Sequence, residues 1–310
     1  MTDQKSNTLI EFLLLMVAFI WALNFSISKI SLQEIDPMSF NAMRFFLSTL
    51  LMWTFLLRRG DWVPIRKSDY GKLIILGLTG NLVYQLFFIF GLNSTFSANS
   101  AVMLGTIPIW VAVLSHLTGA EKMNRTKALG VIMAFTGVLL ILLGKPERIS
   151  LSSETFTGDL LTLCAAFVFG AYTVRSKEFL SYYPPIQLTT MSMSIGGMSL
   201  VLVGLPWVVQ LDFGSISTVA YAGVVYNGLL SVGIAYIIWN YGLRQVGAVR
   251  TATYQNLVPV LGLILGFLIL GEKMALLQYI GSAVVIAGIV ITRRKDSSDP
   301  ATVGNKHHEG

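Results

Sequence analysis

The chain has 310 residues, of which 54% are hydrophobic and only 12% charged, with a formal net charge of +6. A mean hydropathy of +0.68 excludes an ordinary soluble domain, and apolar stretches of about 20 residues are the length that crosses a bilayer as a helix. The positive balance does not point to nucleic acid, because the basic residues cluster in short loops beside apolar runs, where such charge orients membrane helices.

Ten apolar stretches follow one another at 9–28, 38–57, 72–91, 98–118, 126–143, 158–175, 186–207, 217–240, 249–270 and 276–292. They are continuous rather than alternating, which predicts helices and argues against a barrel of short strands. The fold class is therefore an all-α membrane protein of ten helices. The first run lacks a basic leader region and a small-residue cleavage site, so it is expected to be a retained helix. Cys164, the single cysteine, lies inside the sixth run and reads as a packing residue with no disulfide framework around it.

Helix 1 places Trp21, Asn24, Phe25 and Ser28 on one face, since side chains three and four apart are neighbours on a helix. Helix 2 holds Arg44, the one basic residue well inside an apolar run. An intramembrane Arg could attract a carboxylate; with Glu34 and Asp36 nearby, a structural or gating role is the favoured reading. Helix 3 offers Asn81, Tyr84, Gln85 and Phe88 on one stripe. Helix 4 carries Asn99, Met103 and Trp110 around Pro108, and helix 9 carries Tyr254 and Asn256 beside Pro259. A mid-helix proline frees the carbonyl four residues earlier, here Leu104 and Gln255. Such backbone is tolerated at membrane depth only where protein or a cavity re-satisfies it. Both prolines are accordingly expected to be hinges beside a site.

Helix 6 adds Phe169, Tyr172, Thr173 and Ser176, and helix 8 adds Tyr226, Asn227 and Ser231, with Trp239 and Asn240 beyond. Any one amide could merely bond a neighbouring helix. Several aromatic and amide stripes on corresponding helices favour a shared substrate cavity instead. Glu11, Glu121, Asp159 and Glu272 all fall near helix ends, and His116 reads as a packed histidine, so proton coupling through a central carboxylate is not expected. Small residues on helices 5 and 10, among them Gly130, Gly137, Gly281 and Gly288, permit close helix contact within the bundle or in a homodimer.

Lys and Arg are concentrated at the N-terminus, in the connections 2–3, 4–5, 6–7 and 8–9, and after helix 10. That bias places both termini in the cytoplasm. Residues 296–310 are polar and expected to be a disordered tail, with His307 and His308 solvated there.

The tripeptide EKM occurs at 121–123 and again at 272–274. A shift of 151 residues carries it from one place to the other, and with it Gly91 onto Gly242, Pro108 onto Pro259, Gly130 onto Gly281 and Gly137 onto Gly288. Further upstream the register slips by three, so that Ser28–Lys29 meet Ser176–Lys177. The chain is a five-helix unit used twice, at 9–143 and 157–293. Five is odd, so the second unit enters the membrane upside down, the build of many secondary transporters with a midplane site between repeats.

The segments WALNFSISKISLQEIDPMSFNAMRFFLSTL (21–50) and VRTATYQNLVPVLGLILGFLILGEKMALLQYIGSAVVIAGIVI (249–291) resemble the opening and closing parts of the EamA branch of the drug/metabolite transporter superfamily. The resemblance covers about residues 9–293. It implies ten helices in two inverted halves, in the plasma (inner) membrane, and members that export amino acids and related metabolites. No HExxH, G-x-S-x-G or P-loop occurs, so an enzyme and an ATP-driven pump are disfavoured; a non-transporting membrane subunit is the other rival. The expected ligand is a small molecule, first a large neutral or aromatic amino acid, with no metal and no cofactor.

Overall fold

The computed structural model describes residues 2–60, 62–95, 97–144, 155–270 and 275–292, and of 2–7, 97–98 and 266–270 the backbone alone. The second EKM and the tail at 296–310 lie outside the described residues. The protein is helical, with no strand among the described residues. Its helices are α1 (Thr2–Ser31), α2 (Pro37–Arg59), α3 (Lys67–Asn93), α4 (Asn99–Thr118), α5 (Arg125–Leu143), α6 (Phe156–Phe179), α7 (Pro185–Val208), α8 (Thr218–Val246), α9 (248–270) and α10 (Leu276–Thr292). Eight of them, α1 to α8, are long and apolar enough to cross a membrane.

Local chemistry sets the boundaries. Asp36 accepts from the amides of Met38 and Ser39, both at 3.0 Å, and Pro37 opens α2 behind that cap. Gly60 ends the same helix at φ 68°, a backbone geometry that side chains resist. Asn124 caps α5 and Ser217 caps α8 in the same manner as Asp36.

The prolines break their helices as expected, each with its own detail. In α4 the α-helix stops at Gly105 and restarts at Ile107, one residue before Pro108. In α9 the break lies upstream of Pro259, as a 3₁₀ turn at Tyr254–Asn256. Sequence periodicity did not indicate the wide π turns at Leu78–Val83 in α3, Met193–Gly197 in α7 and Asn227–Ile234 in α8.

The outer surface is apolar: Leu57 and Leu117 are each 74% exposed, and Leu202 66%. Trp62, Tyr70 and Tyr182 are exposed at one end and Trp207 and Phe213 at the other, the arrangement of aromatic residues at two membrane interfaces. The amides, by contrast, are inside: Asn41, Asn81, Asn99, Asn227, Asn240 and Asn256 are fully buried. Apolar outside and polar within is the distribution that hydrocarbon demands. This is a multi-pass membrane protein.

Helix contacts come in corresponding pairs. The packing of α3 on α6 has its counterpart in α8 on α1, and that of α4 on α6 in α9 on α1; α2 crosses α7, and α5 crosses α10. At the last crossing, Gly137 faces the backbone of Gly281 and Gly130 that of Gly288, so each glycine lies against its partner's counterpart. The small residues of α5 and α10 are thus taken up inside one chain.

We call the end where α1 begins the lower end and the opposite one the upper. At the lower end Glu11 pairs with Arg250. At the upper end Asp159 accepts from Asn99 Nδ2 at 2.9 Å and from Thr95 Oγ1 at 2.6 Å. Asn99 and Arg250 are related by the 151-residue shift, and Glu11 and Asp159 by the slipped register. One link therefore occurs twice, once at each end.

Candidate functional site

A cleft occupies the centre of the bundle, in its upper half, between α1, α2, α3, α4, α8 and α9. One wall is aromatic, made by Trp21, Phe25, Tyr84 and Phe88. Tyr84 stacks on Phe88 with centroids 5.9 Å apart, and Phe25 meets Phe88 edge-on at 6.3 Å. The other walls mix polar groups with small ones: Asn24, Arg44, Gln85, Ser231 and Gln255 beside Ala101 and Gly105.

The π turn of α8 shapes this wall. It presents the Ser231 carbonyl sideways, where Trp21 Nε1 donates to it at 3.0 Å, and such insertions recur at functional sites. Tyr236, one turn below, accepts from Gln85 Nε2 at 3.1 Å. The polar wall continues behind the cleft. Arg44 donates to Asn41, Gln85 and Asn227, and Ser28 donates to Asn24 and Asn227.

The floor is a cluster of rings. Phe169 lies 4.8 Å from Tyr84 and 5.5 Å from Trp239, and Trp21 lies 5.1 Å from Trp239. Aromatic groups packed at these separations close the space to water and to solutes. Below them, Glu121 holds the lower end together. It pairs with Lys127 at 2.9 Å and Lys177 at 3.3 Å, and accepts from the amide of Ala248 at 2.9 Å. Burial pushes its carboxyl up, but Lys177, Lys127 and the Val249 amide outweigh that and hold it below its ordinary 4.5. At the upper end Glu34 is held below its ordinary value by the backbone and side-chain hydrogen bonds from Ser217.

Of the residues singled out by sequence, Trp21, Asn24, Phe25, Arg44, Tyr84, Gln85, Phe88, Ser231 and Pro259 line the cleft. The others sit elsewhere. Asn227 lies behind the wall, bonded to Arg44. Asn81 joins α3 to Ser192 of α7 at 2.6 Å, and Tyr226 donates to the Ile20 carbonyl at 2.8 Å. Asn99 belongs to the Asp159 link, Met103 accepts from Thr106, and Trp110 packs edge-on against Phe167. Tyr172 is buried in the floor beside Tyr236, Asn256 is buried behind Gly105, and Tyr254 and Pro108 are buried off the cleft. Tyr236 and the Gln255 side chain are lining residues outside the sequence-based site. The repeat could have found both, because the 151-residue shift carries Gln85 onto Tyr236 and Leu104 onto Gln255, and all four line the cleft.

The description EamA-like transporter family matches residues 8–143 and 156–294. The chain belongs to the EamA-like transporter family. The match falls in two stretches, one for each of the family's two repeats. An uncharacterized transporter of Archaeoglobus fulgidus is 30% identical over 294 residues, covering 93% of this chain and 99% of that protein. The uncharacterized transporter YyaM of Bacillus subtilis is 29% identical over 271 residues, covering 86% and 87%. A probable terminal-alkyne amino-acid exporter of Streptantibioticus cattleyicolor is 25% identical over 241 residues, covering 76% and 79%. A solved crystal structure shares the fold with a TM-score of 0.74 at 19% identity, covering 93% of this chain and 96% of that one.

Proposed function

We propose that this protein is a secondary exporter of large neutral or aromatic amino acids, working by alternating access through the central cleft. It does so as ten membrane spans in two inverted halves, with both termini in the cytoplasm of a cell whose plasma membrane it occupies. The observation that carries the reading is the lining itself. Trp21, Phe25, Tyr84 and Phe88 offer aromatic faces opposite Asn24, Gln85 and Gln255, so one end of a ligand meets rings and the other meets amides.

The two-end duplication of the Asn99–Asp159 and Glu11–Arg250 links supports the inversion, since the same motif appears once at each end. Arg58, Arg59, Arg66 and Lys67, then Lys122, Arg125 and Lys127, then Arg175 and Lys177 flank the connections that share the lower end with the start of α1, which supports a cytoplasmic lower face. The floor of rings and the Glu121 cluster lie between the cleft and the lower end, which supports access to the cleft from the upper, outer side. The relative named as an amino-acid exporter supports the substrate class.

The test is flux of radiolabelled solutes in proteoliposomes holding the purified protein. Phenylalanine, tyrosine, tryptophan and methionine are expected to move, and nucleotide sugars and sugar phosphates are not. Transport of such anions with none of the four amino acids would overturn the reading.

A further inference from the structure

Arg44 is 1% exposed, and it lines the cleft. Among the cleft's lining residues it is the one charged side chain, and no carboxylate lies within ion-pair distance of it among the described residues. Its surroundings are neutral amides. Nε and Nη2 both donate to Asn41 Oδ1, Nη2 also donates to Gln85 Oε1 at 2.7 Å, and Nη1 donates to Asn227 Oδ1 at 3.2 Å. A guanidinium has five N–H donors. These four bonds leave one Nη1 hydrogen without a partner among the described residues. The rings of Phe40 and Phe45 lie 5.0 and 5.7 Å away and shield the rest.

A buried cation answered only by dipoles is an incomplete arrangement. Charges taken out of water are normally matched by an opposite charge, as Glu11 is by Arg250 and Glu121 by two lysines; buried Asp159, by contrast, is held by the neutral donors Asn99, Thr95 and Thr155. The internal repeat sharpens the contrast. The slipped register carries Pro37 onto Pro185 and Arg44 onto Ser192, so the other half has a neutral hydroxyl where this half has a full charge. Packing of the fold therefore does not require a cation at this position, and the charge belongs to the upper, cleft-facing half alone.

We propose that Arg44 is the anchor for the carboxylate of the transported solute, held in place by Asn41, Gln85 and Asn227. The inference rests on the transport reading above and narrows its substrate to a monoanionic carboxylic group, because one cation cannot balance a dianionic phosphate. Gln255 supplies the complementary atom. Its Oε1 is buried in the cleft wall with no hydrogen-bond partner among the described residues and accepts from an ammonium group beside the carboxylate.

The experiment uses a matched pair, 3-phenylpropionate and 3-phenylpropanamide, which differ only in the charged group. Binding to the full-length purified protein is read from tryptophan fluorescence, with Trp21 in the cleft as reporter. The native protein is expected to hold the acid about tenfold to a hundredfold more tightly than the amide. Arg44→Gln brings that ratio to near one while leaving amide affinity in place, and Arg44→Lys keeps part of it. A purely structural role would lower both affinities together and preserve the ratio, which would overturn the proposal. Should Arg44→Gln fail to fold, the native ratio decides alone, since no other charged side chain lines the cleft: a value near one refutes the anchor.

The two readings separate cleanly. Amino-acid flux with equal binding of acid and amide sinks the anchor and leaves the transport reading intact. Arg44-dependent binding of the acid, with no flux of any amino acid, leaves the anchor standing and sinks the transported class.

Discussion

Gln85 donates a hydrogen bond to Tyr236, and the two are 151 residues apart, which is the repeat interval itself. Residues that correspond in the repeat meet each other where the two halves adjoin. The cleft lies between the two halves of the chain, with Gln85 and Tyr236 both in its wall. Trp21 and Phe169, related through the slipped register, likewise meet edge-on at 6.2 Å. A site built between two halves borrows from both yet need not be symmetric, as Arg44 and Ser192 illustrate.

The α5–α10 crossing gives a stability prediction. A Cβ on Gly137 would lie 2.6 Å from the Gly281 carbonyl, and one on Gly288 would lie 2.5 Å from the Ala134 amide. Backbone cannot yield as a flexible side chain can, so Gly137→Ala and Gly288→Ala are each expected to cost about 1–3 kcal/mol. Gly262→Ala, where a Cβ would meet nothing within 4 Å, serves as the neutral control. Thermal unfolding in detergent measures all three. Equal midpoints would mean that this crossing is loose.

Glu121 gives a pH prediction. Its carboxyl is held below 4.5, so the stability it contributes is present above that value and lost as the pH falls through the lowered one. Glu121→Gln keeps the shape, loses the pairs with Lys127 and Lys177, and is expected to destabilise the lower end by about 1–3 kcal/mol at neutral pH. The difference in midpoint between native protein and variant should stay constant near neutrality and close below pH 4.5. A difference that persists into strong acid would show that the ion pairs contribute nothing.

The prolines are expected to act on rate rather than affinity. Pro108→Ala and Pro259→Ala each restore a backbone donor and straighten a broken helix without removing a polar binding group. Slower flux with nearly unchanged binding is expected in both. Trp21→Ala and Tyr84→Ala remove cleft surface and should weaken binding by about 1–3 kcal/mol. Normal flux in both proline variants would end the hinge reading.

Sidedness follows from the loop charges. In a Cys164→Ala background, a cysteine replacing Trp62 is expected to react with an impermeant thiol reagent only from the cytoplasmic side, and one replacing Gly214 only from outside. Reaction of both from one face would contradict the orientation and the inverted halves.

Much of this architecture was legible in the sequence because hydrocarbon imposes a simple rule on every helix. Length and apolarity located α1 to α8, and the two prolines marked breaks in α4 and α9. The site was legible only in part. Helical spacing put Trp21 with Asn24 and Tyr84 with Gln85, and those pairs line the cleft. Spacing alone does not say which inward face meets a cavity and which meets another helix, so Asn81, Tyr226 and Asn227 look the same in sequence yet bond neighbouring helices. The π turns escaped notice because they rotate the stripe by a residue with no marker such as proline. In the sequence Gln255 stands out for the backbone carbonyl that Pro259 frees, whereas its side chain is what reaches the cleft.

Occupancy of the cleft by the transported solute is the central claim, and site-directed labelling tests it most directly. Ala101 is small, half-buried and in the cleft wall, so Ala101→Cys in the Cys164→Ala background places a thiol where the solute is to sit. The impermeant reagent, applied from outside to proteoliposomes, should modify this cysteine, and saturating phenylalanine should slow that modification severalfold while leaving a cysteine at Gly214 unaffected. An unchanged labelling rate at Ala101 in the presence of every amino acid that the protein transports would contradict the account.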